Sequence, residues 1–286
     1  MDARDPRSGA SAEVVVERSR ACNIQTTIVS PLAGLFPTGI WGKGGPDAFA
    51  ANIETAKACV ENNGALLQWA VVNPNQPETY AQAAELLAAP GGRCCGLKIH
   101  PGACYPLRSV PTIWNCKIQL KYSWVAAGYY LVECHCYHIA DKGEELFEFA
   151  RKHKALVMCH SGHSNSHPMD YLPFCDASPE IHIILAHLGN SGDIEGAKDP
   201  THHVQAIAAS KHGNVHVDTS SAAGIQPHLL EYAVSKVGAE KILFGTDTPL
   251  YFAAMQRARV DSAELPDEAK RLILRGNAER LLGRKL

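Results

Sequence analysis

The sequence predicts an α/β fold, a (β/α)8 barrel of the TIM type that lacks its first strand. Three observations predict it. Short β-rich apolar runs alternate with helical patterns along the whole chain. The runs are near-continuously apolar, as strands are when both faces of a parallel sheet are covered. No GxGxxG or GxxxxGK[ST] turn opens the first helix, which weighs against an open, doubly wound nucleotide-binding sheet. The 286 residues suit one barrel, since such barrels run to about 250 residues as a single unit.

Each element has its own signal. Residues 1–11 are polar, lack the apolar core of a signal peptide, and read as a disordered tail. A helix-like stretch, Ser11–Arg20, comes next. Strand patterns follow at Gln25–Leu32, Ala65–Pro74, Cys94–Pro101, Ala155–Gly162, Ile181–Gly189, Asn214–Ser221 and Lys241–Leu250. Helical patterns lie between most of them, at Pro46–Asn62, Pro77–Ala89, Lys142–Lys154, His203–His212, Pro227–Gly238 and Asp267–Leu282. Several open with Pro or Asp and close near Gly, in line with the capping asymmetry. That makes seven strands where a closed barrel needs eight, and the absent one is the first. The barrel domain spans 12–286 and is incomplete at its N-terminus.

Strand starts are roughly 25 to 40 residues apart, except for a step of about 60 between Cys94 and Ala155. The excess marks an insertion at 102–137. This stretch holds seven of the 20 aromatic residues and four of the ten cysteines, with Glu133 its one acidic residue. One reading is a lid over the barrel mouth. The other is translated non-coding sequence, such as a retained intron. The composition favours the second, because such a loop would expose much apolar surface.

Composition excludes several functions. Hydrophobic residues make up 46% and charged residues 20%, which rules out disorder for most of the chain. A formal net charge of −2 offers no basic surface for nucleic acid or an anionic membrane. No apolar run nears the roughly 18 residues of a membrane span. Without an export signal the cysteines read as reduced cytoplasmic thiols, and no tandem CxxC pairs suggest a zinc ribbon.

The residues that carry chemistry stand where strands end. His160, His187 and Asp247 close three of the apolar runs, and Lys98 lies near the end of another. In a parallel barrel all carboxyl ends open on one face, so these side chains can converge. Imidazole and carboxylate hold Zn, Fe or Mn with a position open for water, and a nearby carboxylate can take that water's proton. Each residue also has an ordinary reading: a packed histidine, a turn-forming Asp before Thr-Pro, a solvated lysine. The joint pattern is what carries the argument. Strand alternation puts His100 on the face of Lys98, making it a rival there. His163 and His167 read as loop residues within reach of a substrate, and His182 as a surface residue. Trp69 reads as core and Arg257 as part of a solvated helix face. The glycine-rich stretch Gly39–Gly45 reads as a loop bordering the pocket.

Five blocks carry a family resemblance: Gly96-Leu-Lys-Ile-His-Pro101, Met158-Cys-His-Ser-Gly162, Leu185-Ala-His-Leu-Gly189, Val215-His-Val-Asp-Thr-Ser220 and Leu243-Phe-Gly-Thr-Asp-Thr-Pro249. Together they resemble the amidohydrolase superfamily, in its amidohydrolase-related branch of TIM-barrel metal-dependent hydrolases and decarboxylases. The tail Ile273–Gly283, with its Asn277, is similar to that branch's terminal helix. The resemblance covers about 12–283 apart from the insertion. It implies His160 as a metal ligand, and His187 as a second-metal ligand or, in one-metal members, a group that polarises water or substrate. It implies Asp247 as metal ligand and general base, and Lys98 as a carboxylated bridge between two metals. His100 and His163 remain as substrate contacts, and the metal would be Zn, with Mn or Fe as alternatives. The family's first strand ends in a His-x-His pair, and no such pair precedes Gln25. An N-terminally truncated gene product would explain both the absent pair and the absent strand.

The expected activity is hydrolysis of a small carboxylated, lactone or amide substrate by metal-activated water. A non-oxidative decarboxylase of the same branch is the first alternative, and an inactive barrel with a binding or scaffold role is the second. Association of copies would cover the sheet edges left open.

Overall fold

The computed structural model describes residues 11–31, 47–62, 64–101, 137–191, 199–221 and 224–286. Seven parallel strands form one sheet in chain order: β1 (Thr27–Val29), β2 (Leu66–Val72), β3 (Cys94–Ile99), β4 (Val157–Cys159), β5 (Ile183–Leu185), β6 (Val215–Asp218) and β7 (Ile242–Leu243). Around them stand α1 (Ala12–Ala21), α2 (Ala48–Glu61), α3 (Glu78–Ala88), α4 (Ile139–Lys152), α5 (Leu172–Asp176), α6 (His202–Ala209), α7 (Leu229–Val237), α8 (Ala253–Asp261), α9 (Asp267–Arg271) and α10 (Asn277–Leu282). The architecture is the expected TIM-type barrel, with seven strands among the described residues. Among the described residues β7 and β1 do not pair, and the gap between them is the place of the absent strand.

Alternation along the strands builds two apolar layers. Leu97, Ile99, Val157, Ile183, Leu185, Val215, Val217 and Ile242 face outward, against Leu146 and Phe147 of α4, Val204 and Ile207 of α6, and Leu230 of α7. Burying each such side chain stabilises the fold by about 1.5–3 kcal/mol. The alternate positions turn inward. Trp69, Ile184 and Leu243 pack in one cluster with Ile28 and Met158, so residues of β1, β2, β4, β5 and β7 meet around a common centre. A flat sheet cannot bring β1 to β7, so this cluster shows the sheet curled on itself.

Most strands are shorter than their sequence patterns. The pattern Ala155–Gly162 yields only Val157–Cys159, and Lys241–Leu250 only Ile242–Leu243. The reason lies at the carboxyl ends, where the chain leaves the ladder to place polar side chains. His187 and Asp247 have φ of 77° and 56°, left-handed values that no strand accommodates. Helix ends follow their caps. Asp47 accepts from the Ala50 amide at the start of α2, and His138 from the Ala140 amide at the start of α4, three residues before the expected opening. The expected helix Asp267–Leu282 is divided into α9 and α10 by a π-helical turn, Leu272–Gly276. There Asn277 lies fully buried and donates to the carbonyls of Ala239 and Ile242 at 2.7 and 2.8 Å, tying the last helix to β7.

Of the insertion, only Tyr137 lies among the described residues, and the tail 1–10 and Gly39–Gly45 lie outside them. The Tyr137 amide donates to the Pro101 carbonyl at 3.0 Å. The Asn165 side chain donates to both the Pro101 and Tyr137 carbonyls. The two ends of the insertion therefore meet at one point of the barrel rim. Among the described residues, no helix is long and apolar enough to cross a membrane.

Candidate active site

The carboxyl ends of the strands open into a cleft of about 1170 Å³ that also reaches the gap between β7 and β1. Lys98, His100, His160, His163, His187 and Asp247 all line it. Six residues distant in sequence thus converge, as parallel strands with polar carboxyl ends require. Lys98, His100, His160 and His187 are buried, while His163 and Asp247 keep partial contact with solvent. Trp69 is buried in the core, as expected, and also lines the cleft. Arg257 lines the mouth and pairs with Asp261 one turn along α8, as a solvated helix face allows. His167 stands apart from the cleft and caps its own turn by accepting from the Met169 amide. His182 is exposed at the opposite end of the sheet, 3.2 Å from His216.

At the centre, His160 Nδ1 and His187 Nε2 are 3.0 Å apart. His100 stacks on His160 with ring centroids 4.2 Å apart, and His163 stacks with His160 at 5.1 Å. Behind His187 stands Ser220, its Oγ 2.7 Å from His187 Nδ1. The Ser220 hydroxyl contacts Asp218 Oδ1, which also accepts the backbone amides of His187 and Ser220, each at 2.9 Å. Gly245 lies against this group. A Cβ there would stand 2.9 Å from both Asp218 Cγ and Ser220 Cβ, so only glycine fits without displacing them. On the far side of His160, the buried Ser161 hydroxyl donates to the Ala186 carbonyl and lies 2.9 Å from His203 Nε2.

Burial sets the protonation states. It holds His100, His160 and His187 well below the usual histidine range, and neighbouring cationic groups push the same way. Both effects favour the neutral ring, which offers a lone pair. Burial lowers Lys98, against the pull of Asp218 and Asp247. Asp247 is pushed up to about 6 by burial, despite the opposing attraction of Lys98. A carboxyl poised there can give or take a proton near neutrality.

The two central imidazoles have the chemistry of metal ligands. Neutral imidazole nitrogens are common ligands of divalent metals, and His160 Nδ1 and His187 Nε2 stand 3.0 Å apart. Among the described residues no three His, Cys, Asp or Glu side chains gather closely enough to hold an ion. The pair lines one cleft with Asp247. Sequence reasoning missed Asp218, Ser220 and His203. The first two had a usable signal, since alternation in Val215–Ser220 puts His216, Asp218 and Ser220 on one face. His203 had none, because its partner lies 42 residues away.

Comparisons with known proteins give the family and the fold. The amidohydrolase family model matches residues 12–284, and the chain belongs to that family. No curated protein matches. Among solved structures, the 2,6-dihydroxybenzoate decarboxylase from Rhizobium aligns with a TM-score of 0.62 at 16% identity, over 95% of this chain and 88% of that one. The 5-carboxyvanillate decarboxylase of Sphingomonas paucimobilis gives 0.62 at 15% identity, over 99% and 86%. The dihydroxybenzoic acid decarboxylase of Polaromonas sp. JS666, with bound manganese and the inhibitor 2-nitroresorcinol, gives 0.61 at 14% identity, over 94% and 85%. At these identities the likeness is one of fold.

Proposed function

We propose that this protein is a divalent-metal-dependent carboxy-lyase acting on a small aromatic acid. The observation that carries the reading is a buried lysine, Lys98, in a cleft lined also by the apolar Trp69, Ile184 and Leu243 and by the stacked imidazoles of His100 and His160. Such a site takes a flat ring with one anionic group: the apolar side chains and the stack hold the ring, and the ammonium meets the carboxylate. Asp247 decides the chemistry. With a pKa of about 6 it can act as a carboxylic acid toward a ring carbon. Cleavage of the bond between ring and carboxylate releases carbon dioxide, and the electron pair left on the ring carbon takes the proton from Asp247. The resulting carboxylate is then stabilised by Lys98. His160 and His187 would hold the metal, which when bound polarises the oxygens of the substrate. The decarboxylases among the solved structures, three of them with manganese, support this chemistry and this metal over zinc-assisted hydrolysis.

The test is to supply 2,6-dihydroxybenzoate and 5-carboxyvanillate with Mn²⁺ and follow carbon dioxide and the ring product. Equimolar release of both, lost on chelation, is expected. Lys98→Met should raise KM about 10- to 100-fold, the loss of a buried charge-assisted contact of about 1.5–3 kcal/mol. Metal-dependent cleavage of lactones or amides, with no carbon dioxide from either acid, would return the reading to hydrolysis.

A further inference from the structure

We propose that Asp218 and Ser220 are positioning residues that lock His187 in one tautomer, its proton on Nδ1 and its Nε2 lone pair turned into the cleft. The argument starts from groups that cannot reverse. The backbone amides of His187 and Ser220 both donate to Asp218 Oδ1. A backbone N–H is only a donor, so this oxygen is an acceptor and carries no proton of its own. The Ser220 hydroxyl, also in contact with Asp218 Oδ1, must therefore give its single proton to it. That leaves Ser220 Oγ with only lone pairs for His187 Nδ1, 2.7 Å away. The contact is a hydrogen bond only if Nδ1 carries the proton. A neutral imidazole has one N–H, so Nε2 is bare.

Nε2 is the atom that faces His160 Nδ1 at 3.0 Å. In the metal-free protein His160 donates to it. A cation entering the cleft finds the His187 lone pair already aimed, and only the His160 proton has to move to that ring's other nitrogen. The relay is held rigidly. Asp218 and Ser220 are buried, and the missing side chain of Gly245 leaves the space they occupy. The purpose of the lock rests on the proposed metal-dependent function, whereas the proton's place on His187 does not.

The first experiment is long-range ¹H–¹⁵N correlation on metal-free, full-length protein labelled in its histidines, with His187 assigned through its backbone. Protonated Nδ1 and bare Nε2 are expected. A proton on Nε2, or exchange between the two nitrogens, overturns the proposal. This spectrum needs no variant to fold. The second measurement is Mn²⁺ affinity by calorimetry. Ser220→Ala should mix the tautomers and weaken Mn²⁺ binding by about 10- to 100-fold, and Ser220→Thr, which keeps the hydroxyl, should recover both. Wild-type tautomer and wild-type affinity in Ser220→Ala would overturn it. A wild-type protein that binds no Mn²⁺ but shows the Nδ1 proton refutes the proposed function and leaves the lock standing.

Discussion

Replacing Asp247 by asparagine should stabilise the metal-free protein at neutral pH and leave it nearly unchanged in acid. Burial raises this carboxyl from 3.8 to about 6, and the attraction of Lys98 is already contained in that value. The folded pKa lies above the unfolded one, so the folded state binds the proton more tightly. Stability from this group is fully present below about pH 4 and is lost as pH rises through about 6. A shift of about two units at about 1.4 kcal/mol each is about 3 kcal/mol, and partial solvent contact reduces it to about 2 kcal/mol. Asparagine keeps the shape and removes the ionisation. His100, His160 and His187 act in the opposite sense. Their folded pKa values are depressed, so their contribution is lost as pH falls below the unfolded value near 6.5. They are common to both proteins and cancel in the difference. The assay is urea unfolding of chelator-treated wild type and Asp247→Asn across this range. The stability difference should be near zero in acid and about 2 kcal/mol in favour of the variant at neutrality. A constant difference, or a variant less stable at neutral pH, would refute the reasoning.

Two further outcomes follow from packing. Asn277→Ala removes a buried side-chain donor from two carbonyls, at Ala239, which keeps the Ile242 amide, and at Ile242. It should cost about 2–4 kcal/mol in urea unfolding, and a loss under about 1 kcal/mol would mean that water replaces the donor. Replacing residues 102–136 by a short glycine linker should leave the thermal midpoint within a few degrees of wild type. Pro101 and Tyr137 already meet at 3.0 Å, and a shorter loop costs less closure entropy. Failure of that variant to fold would show that the insertion is packed into the barrel.

The sequence by itself determined the class of fold and the residues with chemistry to offer. Alternating strands and helices, and polar residues at the ends of apolar runs, are local patterns. They follow from backbone periodicity and from the cost of burying a polar group away from its partners. His160, His187, Lys98 and Asp247 were legible on that ground, and the structure brings all four to one cleft. The tertiary structure alone decided how they relate. Curling of the sheet places the ends of β3, β4 and β5 around one centre, and register sets His160 against His187 at hydrogen-bonding distance. The direction of the His187 proton depends on Ser220 and Asp218, more than 30 residues away at the carboxyl end of the next strand. His203 reaches Ser161 from a helix. Such contacts depend on the packing of whole elements, and a side chain's own neighbours in sequence carry no trace of them.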